Sequence, residues 1–78
     1  MSKLVPLSFL EPGDTAEIVE IRAGKGLITR LANMGFFPGV KITVISNPRR
    51  GPVIVAKGNI RLGIGFGMAS KIFVRRLR

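Results

Sequence analysis

The 78-residue chain has no cysteine, no histidine, no tryptophan and no tyrosine. Without cysteine there is no disulfide framework, no thiolate metal site and no sulfur nucleophile. Without histidine the commonest general base and the commonest transition-metal ligand are both missing, and the serine and threonine hydroxyls have no imidazole to activate them. Acids are scarce too. The four that exist, Glu11, Asp14, Glu17 and Glu20, all fall in the first twenty residues, and from Ile21 onward every charge is positive. Long apolar runs are also missing: the first ten residues are interrupted by Pro6 and Ser8, too short and broken for a signal peptide. No later run approaches the ~20 residues of a membrane span. The expectation is a soluble cytoplasmic protein, with a peripheral position at the inner face of the membrane left open by its charge.

What is present is basic, apolar and punctuated by glycine. Thirteen Lys and Arg against four acids give a net charge of +9. Four carboxylates can pair with at most four bases, so most of the positive charge faces solvent. A field of that sign attracts nucleic acid, an anionic surface or an acidic protein, and acts mainly on association rates. The length makes one domain, and a chain this short buries only about 60% of its unfolded surface, so the core is small.

The punctuation places the elements. Pro12-Gly13-Asp14 reads as a turn, followed by a β-branched strand over 15–22 whose alternation is imperfect. In this strand Glu17 and Glu20, three apart, are expected on opposite faces and do not form a cation site. Residues 23–26 form a loop, after which Leu27, Ile28, Leu31 and Met34 recur at helical spacing, with Leu31 and Met34 expected in the core. Gly35 closes the helix, since a residue without Cβ takes positive φ at no steric cost. Pro38-Gly39 suits the central positions of a type II turn. A strand then puts Val40, Ile42 and Val44 on one face. Two adjacent residues on extended chain cannot share one core, so of Phe36 and Phe37 one points inward and one outward, Phe37 being the outward candidate. A loop at 47–52 leads to a strand over 53–57, a Gly58-Asn59 turn into Ile60-Arg61-Leu62, a glycine-rich turn over 63–69 and a last strand over 71–75. About five short strands and one short inserted helix make a mainly β protein, a small antiparallel barrel that removes exposed sheet edges. Periodicity alone leaves an OB-fold open.

No nucleotide loop survives inspection. A phosphate-binding P-loop around Gly24-Lys25 needs Gly where Val19 stands and Ser or Thr where Gly26 stands, and Gly63-x-Gly65-x-Gly67 lacks the third glycine of a dinucleotide fingerprint at Met68. No catalytic, cofactor-binding or metal-binding residue is assigned, and no enzyme is expected.

Taken together, Leu7, Leu10 and Pro12-Gly13, then Leu31-x-x-Met34-Gly35 with Pro38-Gly39, then Gly63-Ile64-Gly65-Phe66-Gly67-Met68-Ala69 followed by Lys71-Ile72-Phe73-Val74, resemble the FeoA domain family, small accessory proteins of bacterial and archaeal ferrous iron uptake. The resemblance covers almost the whole chain, 1–78 as a single domain. It departs at Phe66, where the family often has a basic or polar residue, and at Gly63, where alanine is usual. It implies an SH3-like barrel with no cofactor. The implied partner is the membrane ferrous iron transporter, ferrous iron transport protein B, which carries a cytoplasmic GTP-binding domain. The residues placed at such an interface are Phe37 and Pro38 at the apolar corner, Arg49 and Arg50 at a loop tip, and Phe66. The alternative is a nucleic-acid-binding barrel or the SH3 module of a repressor, with Phe36, Phe37 and Phe66 available for base stacking. No specific nucleic acid is expected.

Two expectations follow directly. Anaerobic titration with Fe²⁺ should find no stoichiometric site of micromolar or better affinity, because ligand number and softness are both inadequate; such a site would overturn the reading. Nucleic-acid binding, measured by fluorescence anisotropy, should be weak, sequence-independent and lost by physiological salt, since even ~6 phosphate contacts forfeit on the order of 10³ in affinity between about 50 and 200 mM salt. A sequence-selective complex that persists there would favour the alternative.

Overall fold

The structure, a computed structural model, describes residues 3–77. Six antiparallel strands form one sheet in the order β1-β6-β2-β3-β4-β5. They are β1 (Leu4–Pro6), β2 (Thr15–Ile21), β3 (Lys41–Ser46), β4 (Val53–Lys57), β5 (Ile60–Ile64) and β6 (Ile72–Leu77). A 3-10 turn, Leu7–Phe9, follows β1; helix α1 (Lys25–Asn33) joins β2 to β3, and a single helical turn, α2 (Phe66–Ala69), joins β5 to β6. The sheet curls around one core to which β2 through β6, α1 and both helical turns all contribute.

The barrel expectation therefore holds with changes of detail. The strand missed in the sequence is β1, which pairs with β6 through Leu4↔Arg75 to Pro6↔Phe73. Pro6 fits because an edge strand has a side on which no N–H is required. The glycine-rich segment is not one turn. Gly63 and Ile64 finish β5, Gly65 precedes α2, and Ala69 is buried as α2 packs by the 3-10 turn. The edges are not abolished either: among the described residues β1 and β5 end the ladder on either side.

The imperfect alternation of β2 has a definite cause. The β2–β6 register runs Ile18↔Val74 and then Glu20↔Phe73, so Val19 is an extra residue, a β-bulge. The bulge resets the phase, and Ala16, Ile18 and Ile21 are all buried despite their mixed parity. It also corrects the placement of Glu17 and Glu20, which lie on the same, outer side of the strand rather than on opposite faces.

Helix α1 begins at the carbonyl of Gly24, to which the Ile28 N–H donates at 3.1 Å, two residues earlier than its apolar spacing indicates. Its end carries the paired hydrogen bonds of a Schellman closure. The Phe36 N–H donates to the Leu31 carbonyl at 2.8 Å and the Gly35 N–H to the Ala32 carbonyl at 2.9 Å, with Gly35 at φ +87°. Leu31 and Phe36, joined by this closure, are both fully buried. Met34 occupies the cap itself and is exposed, not core as its spacing suggested. The turn that follows is bonded from the Val40 N–H to the Phe37 carbonyl at 3.2 Å, with Gly39 at φ +100°. Val40, Ile42 and Val44 then face the core as the alternation requires.

Two glycines of this region are expected to respond oppositely to alanine. Gly35 has positive φ, and a Cβ there would stand 2.5 Å from the Lys57 ammonium. Gly26 lies in the first turn of α1 with open space around it. Gly26→Ala should stabilise by about 0.5–1 kcal/mol through reduced chain entropy, raising Tm by roughly 2–8 °C for a domain of this size. Gly35→Ala should destabilise by at least about 1 kcal/mol. Thermal unfolding of the two variants checks both signs.

Candidate functional site

The residues assigned to an interface fall at opposite ends of the curled sheet. Strand register fixes this: Thr43↔Ala56 and Lys57↔Ile60 bring the β4–β5 hairpin tip beside the start of β3, where the Phe37-Pro38-Gly39 turn lies. Arg49 and Arg50 lie beyond the far end of β3, six residues of strand away. Phe37 and Pro38 are thus one candidate corner, and Arg49, Arg50 and Phe66 lie towards the other end.

At the first end, the closure at Gly35 decides which aromatic is presented. Phe36 is 0% exposed and Phe37 is 45% exposed. Pro38 beside it is also exposed. Sequence reasoning missed three neighbours. Met34, expected in the core, projects next to the closing glycine. Lys57 runs under Gly35, its ammonium against the C-terminal end of α1, where a cation complements the unpaired carbonyls of the helix dipole. Ile60, the cross-strand neighbour of Lys57, is 54% exposed. The apolar side chains here are held by backbone that is hydrogen-bonded on both sides of Phe37, so the corner is preorganised.

At the other end, the 47–52 loop is tied down by Asn47. Its Nδ2 donates to the Ser8 carbonyl at 2.9 Å and the Leu10 carbonyl at 2.7 Å, while its Oδ1 accepts the Arg49 N–H at 3.1 Å. Arg49 has φ 72°, unusual for a side-chain-bearing residue, and its guanidinium pairs with Glu11 at 3.0 Å. Arg49 is therefore engaged within the molecule, while Arg50 is exposed and has no ion-pair partner among the described residues. Phe66 is half-buried and packs against the core. Phe9, 60% exposed on the 3-10 turn, is the aromatic this end actually presents.

The electrostatics are simple. Each acid is held by an arginine: Glu20 by Arg22 at 3.1 Å, Glu11 by Arg49, Asp14 by Arg76 at 3.4 Å, and Glu17 by its cross-strand partner Arg75. Arg22 also lies 4.0 Å above the ring of Phe73. The Glu17–Arg75 pair is the most sheltered, and such cross-strand pairs contribute about 0.2–1 kcal/mol. Among the described residues no acidic side chain is left over, so bases such as Arg30, Lys41, Arg50 and Arg61 remain open to an outside partner, while the Lys57 ammonium lies at the end of α1. Among the described residues no three carboxylate, His or Cys groups converge as a metal site would require, and no helix is long and apolar enough to cross a membrane.

The comparisons with known proteins agree with one another. A protein of Methanocaldococcus jannaschii provisionally named Fe(2+) transport protein A is 39% identical over 91% of this chain and 85% of its own. The crystal structure of an iron uptake regulatory protein, FeoA, superposes with a TM-score of 0.89 at 39% identity, covering 96% of this chain and all of that one. At 23% identity, the zinc complex of Stenotrophomonas maltophilia FeoA, named as a prokaryotic SH3 domain protein, shares the fold with a TM-score of 0.69 over 95% of this chain and 88% of that one. The FeoA domain model matches residues 5–76, nearly every residue that forms the curled sheet and both of its ends. The chain belongs to the FeoA domain family.

Proposed function

We propose that this protein serves ferrous iron uptake as a non-catalytic binding module, docking on the cytoplasmic region of the membrane ferrous iron transporter, ferrous iron transport protein B, to modulate or assemble it. Membership of the FeoA domain family and the likeness to Fe(2+) transport protein A support the iron-uptake role. The docking role rests on one observation above the others: the chain presents Phe37 and Pro38 on a rigid turn while the adjacent Phe36 is fully buried. An exposed aromatic on preorganised backbone is what a protein interface uses as an anchor, since little conformational freedom is lost when it is buried. The unpaired bases around it favour an acidic counterpart and speed encounter. The nucleic-acid alternative is weakened by the same packing, because Phe36 is inside and Phe66 packs on the core, which leaves Phe37 alone of the three for base stacking.

Single alanine substitutions separate the two aromatic roles. Phe37→Ala should leave Tm within a few degrees of the parent and weaken binding to the purified cytoplasmic region of the transporter by roughly 30-fold, the equivalent of an anchor contributing about 2 kcal/mol. Phe36→Ala should destabilise the fold by about 3–5 kcal/mol. Calorimetric titration and thermal unfolding measure these. Should Phe37→Ala bind with unchanged affinity, the docking surface lies elsewhere.

A further inference from the structure

We propose that the free edge of β5 is a strand-acceptor site for an extended acidic segment of another protein. The inference is independent of what docks at Phe37. It begins with the ladder. Among the described residues β5 pairs only with β4, through an unbroken register from Val53↔Ile64 to Lys57↔Ile60. The hairpin is closed by two residues, with positive φ at Gly58 but not at Asn59. In such a hairpin the flanking pair exchanges both of its N–H···O bonds. Ile60, Leu62 and Ile64 therefore turn their backbone groups towards β4, and Arg61 and Gly63 turn theirs away. Among the described residues no backbone hydrogen bond is made to the outward groups of Arg61 or Gly63.

Edge strands are ordinarily blunted by proline, bulges, shortness or cover. The opposite edge follows that rule, for β1 is three residues long and contains Pro6. β5 does not. It is five residues long, has no proline and no bulge, and carries Gly63 on its open side. Gly63 is exposed, and it has no side chain of its own to screen its outward backbone groups. A Cβ at this position would meet only Ile54 and Pro52 on the outer face and would not cover the edge.

Charge selects the occupant. There is no acid anywhere from Ile21 to the end of the sequence, while β3, β4 and β5 carry Lys41, Lys57 and Arg61. A second copy of a chain with net charge +9 is repelled from this edge. An acidic segment is attracted. Along β5, Ile60 and Leu62 point to the inner face and Arg61 to the outer, with Ile60 exposed and Leu62 only partly covered. An added strand would set alternate side chains beside these two faces. The best-fitting segment thus alternates apolar residues with Asp or Glu, gaining backbone pairing, apolar contact and charge neutralisation together.

The test uses an end-blocked seven-residue peptide alternating Glu with Val or Thr, and a control with Lys in place of Glu. Both are titrated into the isotopically labelled protein while amide shifts and hydrogen exchange are followed. The acidic peptide should slow exchange of the Arg61 and Gly63 amides by at least about tenfold and leave the lysine control without effect. Arg61→Glu should weaken the acidic peptide by about tenfold. Gly63→Pro, which removes an outward N–H without touching the β4 ladder, should abolish binding; should that variant fail to fold, the parent's amide protection and Arg61→Glu carry the test. The proposal falls if the acidic peptide shifts basic residues all over the surface without protecting Arg61 and Gly63. It falls equally if those two amides are protected in a concentration-dependent way without peptide, which would mean that β5 pairs with a second copy.

Discussion

The hydrogen bond from the Phe36 N–H back to the Leu31 carbonyl is the constraint on which the rest of the structure turns. It requires a residue at positive φ immediately before it, and Gly35 supplies one. Once formed, it reverses the chain so that Phe36 enters the core beside Leu31. Because the chain is then extended, Phe37 must point the other way. The Pro38-Gly39 turn redirects it into β3, and the Gly39 N–H donates to the Ile18 carbonyl at 2.7 Å while the Ile18 N–H donates to the Val40 carbonyl at 2.9 Å. The same closure leaves room for Lys57 only because Gly35 has no side chain. Helix end, core aromatic, exposed aromatic and the seat of the Lys57 side chain are set by one backbone geometry.

Charge is arranged as sharply as backbone. Four acids early in the chain meet four arginines, two of them from the last strand, so among the described residues the ion pairs join the start of the fold to Arg22, the 47–52 loop and β6. Exposed pairs of this kind contribute roughly 0–1 kcal/mol each. Their larger consequence is what they use up. With all four acidic side chains engaged, the β3–β5 side of the sheet has no internal counter-charge, and its bases face outward as a field of one sign.

Much of this was legible in the sequence because it depends on local rules. Gly35, the Pro38-Gly39 turn, the Gly58-Asn59 hairpin and the alternation of β3 each declare themselves within a few residues, and so does the opposition of Phe36 and Phe37. What was not legible depends on contacts across the chain. Val19 reads as an ordinary strand residue, and only pairing with β6 makes it a bulge that turns Ile21 inward. Met34 continues the apolar spacing of α1, but the helix stops at Asn33 and Met34 becomes its cap. Gly65 and Gly67 suggest a turn, whereas burial of Ala69 by the 3-10 segment stabilises a helical turn there. The anchoring of the 47–52 loop by Asn47 joins residues more than thirty-five positions apart, beyond any periodicity. The candidate site was half legible for the same reason: Phe37 and Pro38 follow from local geometry, while Lys57 and Ile60 reach their end of the molecule only through the register of β4 and β5.

These observations also explain why an exposed strand edge is tolerable here. An unprotected edge is ordinarily a route to aggregation, because any copy of the chain can extend the sheet. This domain does not blunt β5 with proline or a bulge; under the proposed strand-acceptor role, what protects the edge is the like charge of a second copy. The long-range repulsion between two strongly basic domains acts before their edges meet, whereas an acidic segment experiences the reverse. Protection by charge differs from protection by proline in one respect that matters for function. Proline closes an edge to every strand, but a field of one sign closes it to like-charged strands only. On the proposed reading, an edge guarded in this way disfavours a second copy and favours an acidic partner, and the absence of acids after Glu20 is the feature of the sequence on which that distinction rests.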